Sequence, residues 1–185
     1  RKNYRRYEYN KETKELYFEA GLNMDEISRI LKINSRTFPI GISSKTGVGY
    51  ILSGGVSPLS RKYGLAIDSI VEIHGIWGNG EKFKLNRPIE KSSKEEKNIW
   101  KGLTGAASFL AIITALKIKT IKLNNLYLYS KQVNKEELHK LITFSECASL
   151  NTSLYWTWSD IITANIIVEN ETKYTKTIKG INDKL

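Results

Sequence analysis

The run Glu15–Thr37, ELYFEAGLNMDEISRILKINSRT, constrains the chain most, because it packs a helix stop, a capping box and a second stop into one short segment. Gly21 reads as the C-cap of a helix over Lys11–Ala20. Asn23 opens the next helix, and Glu26 three residues later completes a capping box. Ile27, Ile30 and Leu31 share one face of it. Ile33 packs the following turn, and Asn34 or Ser35 caps a third helix. Pro39 limits that helix to about one turn, since proline lacks a donor and clashes with the preceding turn. Phe38 before it is also pushed from helical angles.

Three short helices around tight turns make a helix-turn-helix, a unit that lays a helix against duplex DNA. Ser35, Arg36 and Thr37 would approach base edges, while Lys32 and Arg36 hold phosphates. The net charge of +10 over 185 residues favours a polyanionic partner. The first ten residues, RKNYRRYEYN, interleave basic and aromatic side chains in the same sense. One cysteine, Cys147, rules out an internal disulfide and suits a reducing compartment. His74 and His139 are the only histidines, with no zinc spacing, so neither a metal nor a cofactor is expected. The longest apolar run, Ala106–Leu116, is too short to span a bilayer. The expectation is a cytoplasmic, nucleoid-associated protein with double-stranded DNA as partner and no membrane.

Ile40–Thr46 reads as a linker, which divides the chain into 1–39, 40–46 and an α/β domain over 47–185. Gly47–Ser57 is small and apolar, a helix or a strand and turn, but no Gly-Lys-Ser/Thr follows to make a phosphate loop. Tyr63–Ile67 reads as a strand, Ile70–Trp77 as helix or strand, and Glu81–Asn86 alternates after the turn Gly78-Asn79-Gly80. Ser92 or Ser93 caps a helix running through NIWKGLTGAASFLAIITAL, where Gly102, Gly105, Ala106 and Ala107 permit close approach. Thr120–Ser130 holds one or two strands, and Asn134 caps a helix with Leu138, Leu141 and Ile142 on one face. Asn165–Glu169 and Lys173–Ile178 form a closing hairpin. Trp156 and Trp158 share a strand face, which suits a core or a homo-oligomer contact.

Two segments, YILSGGVSPLS followed by KYGLAI, and WKGLTGAAS, resemble the paired helices of archaeal-type proteins that join a helix-turn-helix to a LAGLIDADG homing-endonuclease fold. LYLYSKQVNKEELHKLI is similar to the strand and helix that follow in such repeats. The resemblance implies a tandem αββαββα domain with half-repeats over about 47–98 and 99–185. It places Pro58, Gly105 and Ala107 where that family carries its metal-holding acids. None of these side chains ligates a cation, so the resemblance implies docking without cleavage.

The fold class expected is therefore α+β, a helix-turn-helix followed by a mixed α/β domain. The function expected is non-catalytic duplex-DNA binding, as a transcription regulator or an architectural or replication-associated factor. Arg61, Lys62, Lys82, Lys84 and Arg87, with Lys117, Lys119 and Lys122, would neutralise phosphates from the strands. One alternative is a metal-dependent endonuclease of the homing or PD-(D/E)xK type, since Asp68, Glu72 and His74 resemble the latter's cluster if the segment is a strand. A second alternative is a protein-interaction module of a nucleoprotein assembly.

Overall fold

The computed structural model describes residues 3–182, apart from the side chains of Ala107, Ser108 and Asn182. Arg1 and Lys2 of the expected basic end lie outside the described residues, as does the side chain of Ala107. The chain opens with strands β1 (Tyr7–Asn10) and β2 (Glu15–Glu19), helix α1 (Met24–Ile33) and strand β3 (Arg36–Thr37). Helices α2 (Val48–Leu52) and α3 (Ser60–Tyr63) and a 3-10 turn (Ala66–Ser69) precede β4 (Ile70–Trp77) and β5 (Lys82–Asn86). Helix α4 (Lys94–Leu110), β6 (Ala111–Lys119), β7 (Ile121–Lys122) and β8 (Leu126–Val133) come next. Helix α5 (Lys135–Cys147), β9 (Thr152–Thr157), β10 (Ile162–Glu169) and α6 (Glu171–Asn182) complete it.

These elements form two compact units, one of residues 1–57 and 64–123, the other of residues 58–63 and 124–185. Residues 1–39, 40–46 and the first part of 47–185 all fall in the first unit.

The first unit is an antiparallel sheet in the order β1-β2-β6-β4-β5. Period-2 alternation sends Leu16 and Phe18 of β2 inward, opposite Ile118 and Leu116 of β6. Ile70 and Ile73 of β4 extend this face. Helix α1 covers it with Met24, Ile27, Ile30 and Leu31, and α4 adds Trp100 and Leu103 to the same core. Bulges in the β4–β6 ladder shift its register between Ile70 and Glu72 and again between His74 and Gly75.

The second unit is a three-stranded antiparallel sheet, β8-β10-β9. Its core joins Ile162, Ala164, Ile166 and Val168 of β10 to Leu138 and Leu141 of α5 and Ile181 of α6. Segment 58–63 belongs here: the Arg61 guanidinium donates to the carbonyls of Ser145, Glu146 and Ala148 at the end of α5. Those carbonyls are among the acceptors that a helix terminus leaves without intrahelical partners.

The helix expected over Lys11–Ala20 is instead a hairpin. Asn10 Oδ1 accepts from the amides of Glu12 and Thr13, and Lys14 takes φ 58°, which turns β1 into β2. The third helix is also absent. Ser35 adopts φ 55°, and Arg36–Thr37 pair with Lys122 and Ile121 of β7. With only α1 helical, no helix-turn-helix exists. The capping box at Asn23 and Glu26 is present as expected.

The tandem αββαββα arrangement is absent as well. Helix α2 does touch α4, but it ends at Ser53 after five residues, and Gly54 and Gly55 follow with φ 101° and 72°. Helix α4 is broken at Thr104 and Ala106, which have non-helical dihedrals. Tyr63–Ile67 lies across the end of α3 and the start of the 3-10 turn, not in a strand. Lys173–Ile178 lies in α6 because Asn170, at φ 98°, caps Thr172 and Lys173 with its side chain.

Candidate functional site

Most of the cations singled out in the sequence have partners within the fold. Lys32 is exposed in the last turn of α1, and Ser35 is a turn residue whose carbonyl accepts from Leu123. The Arg36 guanidinium turns inward to Thr120, donating to its hydroxyl (3.0 Å) and its carbonyl. The Thr37 hydroxyl donates to the Phe38 carbonyl. Arg61 binds the end of α5, as above, and Lys62 pairs with Glu169. Arg87 donates to the Asp68 carbonyl at 2.7 Å. Lys82, Lys119 and Lys122 are exposed on β5, β6 and β7.

Lys84 and Lys117 converge on Glu72, at 3.1 and 3.4 Å. Glu72 is 5% exposed and lies 2.6 Å from His74 Nε2. Tyr17 meets the His74 ring edge-on. Burial pushes the Glu72 carboxyl up, but hydrogen bonds from His74 and Lys84 and the Lys117 charge more than offset it, so its pKa is lowered. A strand does place Glu72 and His74 on one face, as the nuclease alternative required. Asp68 stands apart, its carboxylate accepting from the Leu65 amide. Among the described residues no three His, Cys, Asp or Glu side chains group as a metal site.

The first unit's cavity lies elsewhere, with a volume of about 370 Å³. Ala20 and Gly21 after β2, Val48 of α2, Ile76 of β4 and Ile112–Thr114 of β6 surround it, with Tyr4 at its rim. The aliphatic residues make dry walls, and Tyr4 and Thr114 supply hydroxyls. Small residues at 20 and 21 leave space where two strands approach. Val48, which lines the cavity, stands between Gly47 and Gly49. Gly49 is exposed, has no left-handed φ, and a Cβ there would meet nothing within 4 Å. Neither its conformation nor packing among the described residues demands a glycine at this position. Gly55 contrasts with it: φ is 72° and a Cβ would lie 2.4 Å from that of Ala66, so the fold itself requires glycine.

The α4–β6 junction beside the cavity exposes Phe109 (90%), Leu110 (47%) and Ile112 (70%). These positions were not singled out as a site in the sequence. The sequence signal nearest to the cavity is the glycine run from Gly47 to Gly55, which lacks the Gly-Lys-Ser/Thr of a phosphate loop.

No protein-family model matches the chain. Among curated proteins it is 31% identical over 109 residues to O-acetylstemmadenine oxidase of Catharanthus roseus, covering 57% of this chain and 20% of that protein. It is 28% identical over 122 residues to the FAD-linked oxidoreductase YgaK of Bacillus subtilis, covering 65% of this chain and 27% of that protein. Cannabidiolic acid synthase-like 1 of Cannabis sativa is 27% identical over 169 residues, covering 88% of this chain and 30% of that protein. The chain thus spans between a fifth and a third of the length of these relatives.

Among solved structures, BBE-like 1 of Physcomitrella patens superposes with TM-score 0.84 at 18% identity, over 97% of this chain and 40% of that one. The xylooligosaccharide oxidase of Myceliophthora thermophila superposes with TM-score 0.82 at 19% identity, over 99% and 40%. The carbohydrate oxidase of Microdochium nivale gives 0.81 at 17% identity, over 96% and 39%. These findings overturn the helix-turn-helix and LAGLIDADG readings, and with them DNA binding, the nuclease alternative and a double-stranded DNA partner. The chain has the α+β fold of one stretch of these oxidases.

Proposed function

We propose that this chain is a cofactor-holding part of an FAD-linked oxidoreductase that acts on small molecules. The carrying observation is the first unit's cavity, bordered by Ala20, Gly21, Val48 and Ile112–Thr114, with open space beside Gly49, the neighbour of Val48. The similarity to an FAD-linked oxidoreductase and to several oxidases supports the choice of cofactor. The residues fit part of such a group. Val48, Ile76, Ile112 and Ile113 offer aliphatic walls to a flat ring, and the Gly47–Gly49 backbone lets polar atoms approach its amides.

A bound flavin would supply two-electron transfer, which no protein side chain performs. The chain's own residues hold and orient it. The aliphatic walls exclude water from the group they contact, and the Tyr4 and Thr114 hydroxyls offer hydrogen bonds at the margin. No carboxylate or imidazole lines the cavity, so these residues bind and do not move protons.

Titrating FAD into the protein while following flavin fluorescence and absorbance tests the reading. Saturable binding is expected, weakened about tenfold or more in Gly49→Leu, a loss of about 1.4 kcal/mol. The melting temperature of that variant should not fall, because Gly49 is exposed and a Cβ there meets nothing within 4 Å. Absence of binding, or equal binding by Gly49→Leu, contradicts the reading.

A further inference from the structure

The second unit contains a cavity of about 540 Å³, within the size range of small-molecule sites. It opens where β8 and β10 meet the start of α6. Four asparagines, Asn124, Asn125, Asn151 and Asn170, line it, with the ring of Tyr127 and the carboxylate of Glu169. Backbone bonds join these walls: the Glu169 amide donates to the Asn151 carbonyl and the Asn170 amide to the Asn125 carbonyl.

Glu169 is 6% exposed and receives three donors: the Tyr63 hydroxyl (2.8 Å), the Asn124 amide and the Lys62 ammonium. A carboxylate has about four acceptor positions, so one more donor can be received. Burial raises the Glu169 pKa, but the bonds from Asn124, Lys62 and Tyr63 outweigh it and keep the group ionised. The lining charges balance, with Lys62 and Lys173 against Glu169 and Glu171. Such a wall offers neither a net cation to an anion nor a net anion to a cation. It offers amides that donate and accept together, one spare carboxylate position and an aromatic face.

We infer that this cavity binds an uncharged, hydroxyl-rich molecule, a mono- or disaccharide. Asn124 and Asn151 spend an amide donor on Glu169 and Ser149 and keep their carbonyl oxygens for a hydroxyl, while Asn170, whose oxygen caps Thr172 and Lys173, keeps its amide donors. Glu169 accepts from a further hydroxyl in a charge-assisted bond. Tyr127, tilted against Tyr174 with ring centroids 5.5 Å apart, gives an apolar platform for the C–H face of a sugar ring. The inference does not rest on the flavin reading, because every residue in it belongs to the second unit.

The test is a backbone-amide NMR titration of the whole chain without FAD, using xylobiose, cellobiose, glucose, inorganic phosphate and acetate as separate probes. A saturable response to at least one sugar is expected, centred on Asn125, Tyr127, Asn151 and Asn170. Asn125→Ala, an exposed position, should weaken binding about tenfold while leaving the spectrum of the free protein dispersed. Tyr127→Leu should weaken it similarly. Silence toward all three sugars, response to phosphate or acetate alone, shifts centred elsewhere, or full affinity in Asn125→Ala and Tyr127→Leu together overturns the inference.

Discussion

At the scale of single residues, the Glu72 cluster shows how charge that reads as a ligand surface is engaged within the fold. Lys84 and Lys117, expected to hold phosphates, neutralise a carboxylate that is 5% exposed. Glu72→Gln should cost about 1–3 kcal/mol in urea denaturation, since it leaves hydrogen-bonding partners without their anion. The lowered pKa fixes the pH dependence: the stabilisation is present above the ordinary carboxylate range and lost as pH falls through the lowered value. The wild type should therefore lose stability on acidification more steeply than Glu72→Gln; parallel acid limbs would refute this. Gly55→Ala should destabilise by about 1–3 kcal/mol, because it combines a left-handed φ with a 2.4 Å clash. A neutral result by thermal melting would contradict that geometry. Lone residue types did not reveal these roles, since a lysine's letter carries no trace of the acid it faces across a sheet.

At the scale of elements, the local signals were legible and the long-range ones were not. The capping box at Asn23–Glu26 appears where its spacing placed it, and the caps read at Ser93 and Asn134 turn out to be capping boxes with Glu96 and Glu137. A capping box is complete within four residues, so sequence suffices. The alternation of Leu16, Tyr17 and Phe18 fits a strand, but Gly21 after it reads equally as a helix stop. What decides that segment is pairing with β6, a partner about a hundred residues away. Likewise Arg36–Thr37 became a strand only through β7. Asn134→Ala should cost about 1 kcal/mol through loss of the α5 cap. Arg61→Ala, at the other end of α5, should cost about 1–2 kcal/mol through the lost bonds to its last carbonyls. Guanidinium denaturation followed by far-ultraviolet circular dichroism checks both; no change in either would contradict the role given to the α5 termini.

At the scale of the whole molecule, the two units carry different chemistry in different cavities. The first is walled by aliphatic side chains beside a glycine-bearing turn, the second by amides and a paired acid. A net charge of +10 pointed to a polyanion, yet Arg36, Arg61, Lys62, Lys84, Arg87 and Lys117 all have partners inside the protein. The cavity residues at 20–21, 48–49, 76 and 112–114 are scattered along the chain, and only the sheet order β2-β6-β4 brings their strands together.

The measurement that bears most directly on the central claim is an amide NMR map of the protein with and without FAD. Shifts concentrated at Ala20, Gly21, Val48, Gly49 and Ile112–Thr114 are predicted, absent in Gly49→Leu. Shifts confined to other strands, or none at saturating FAD, would contradict the assignment of the first unit's cavity to a flavin.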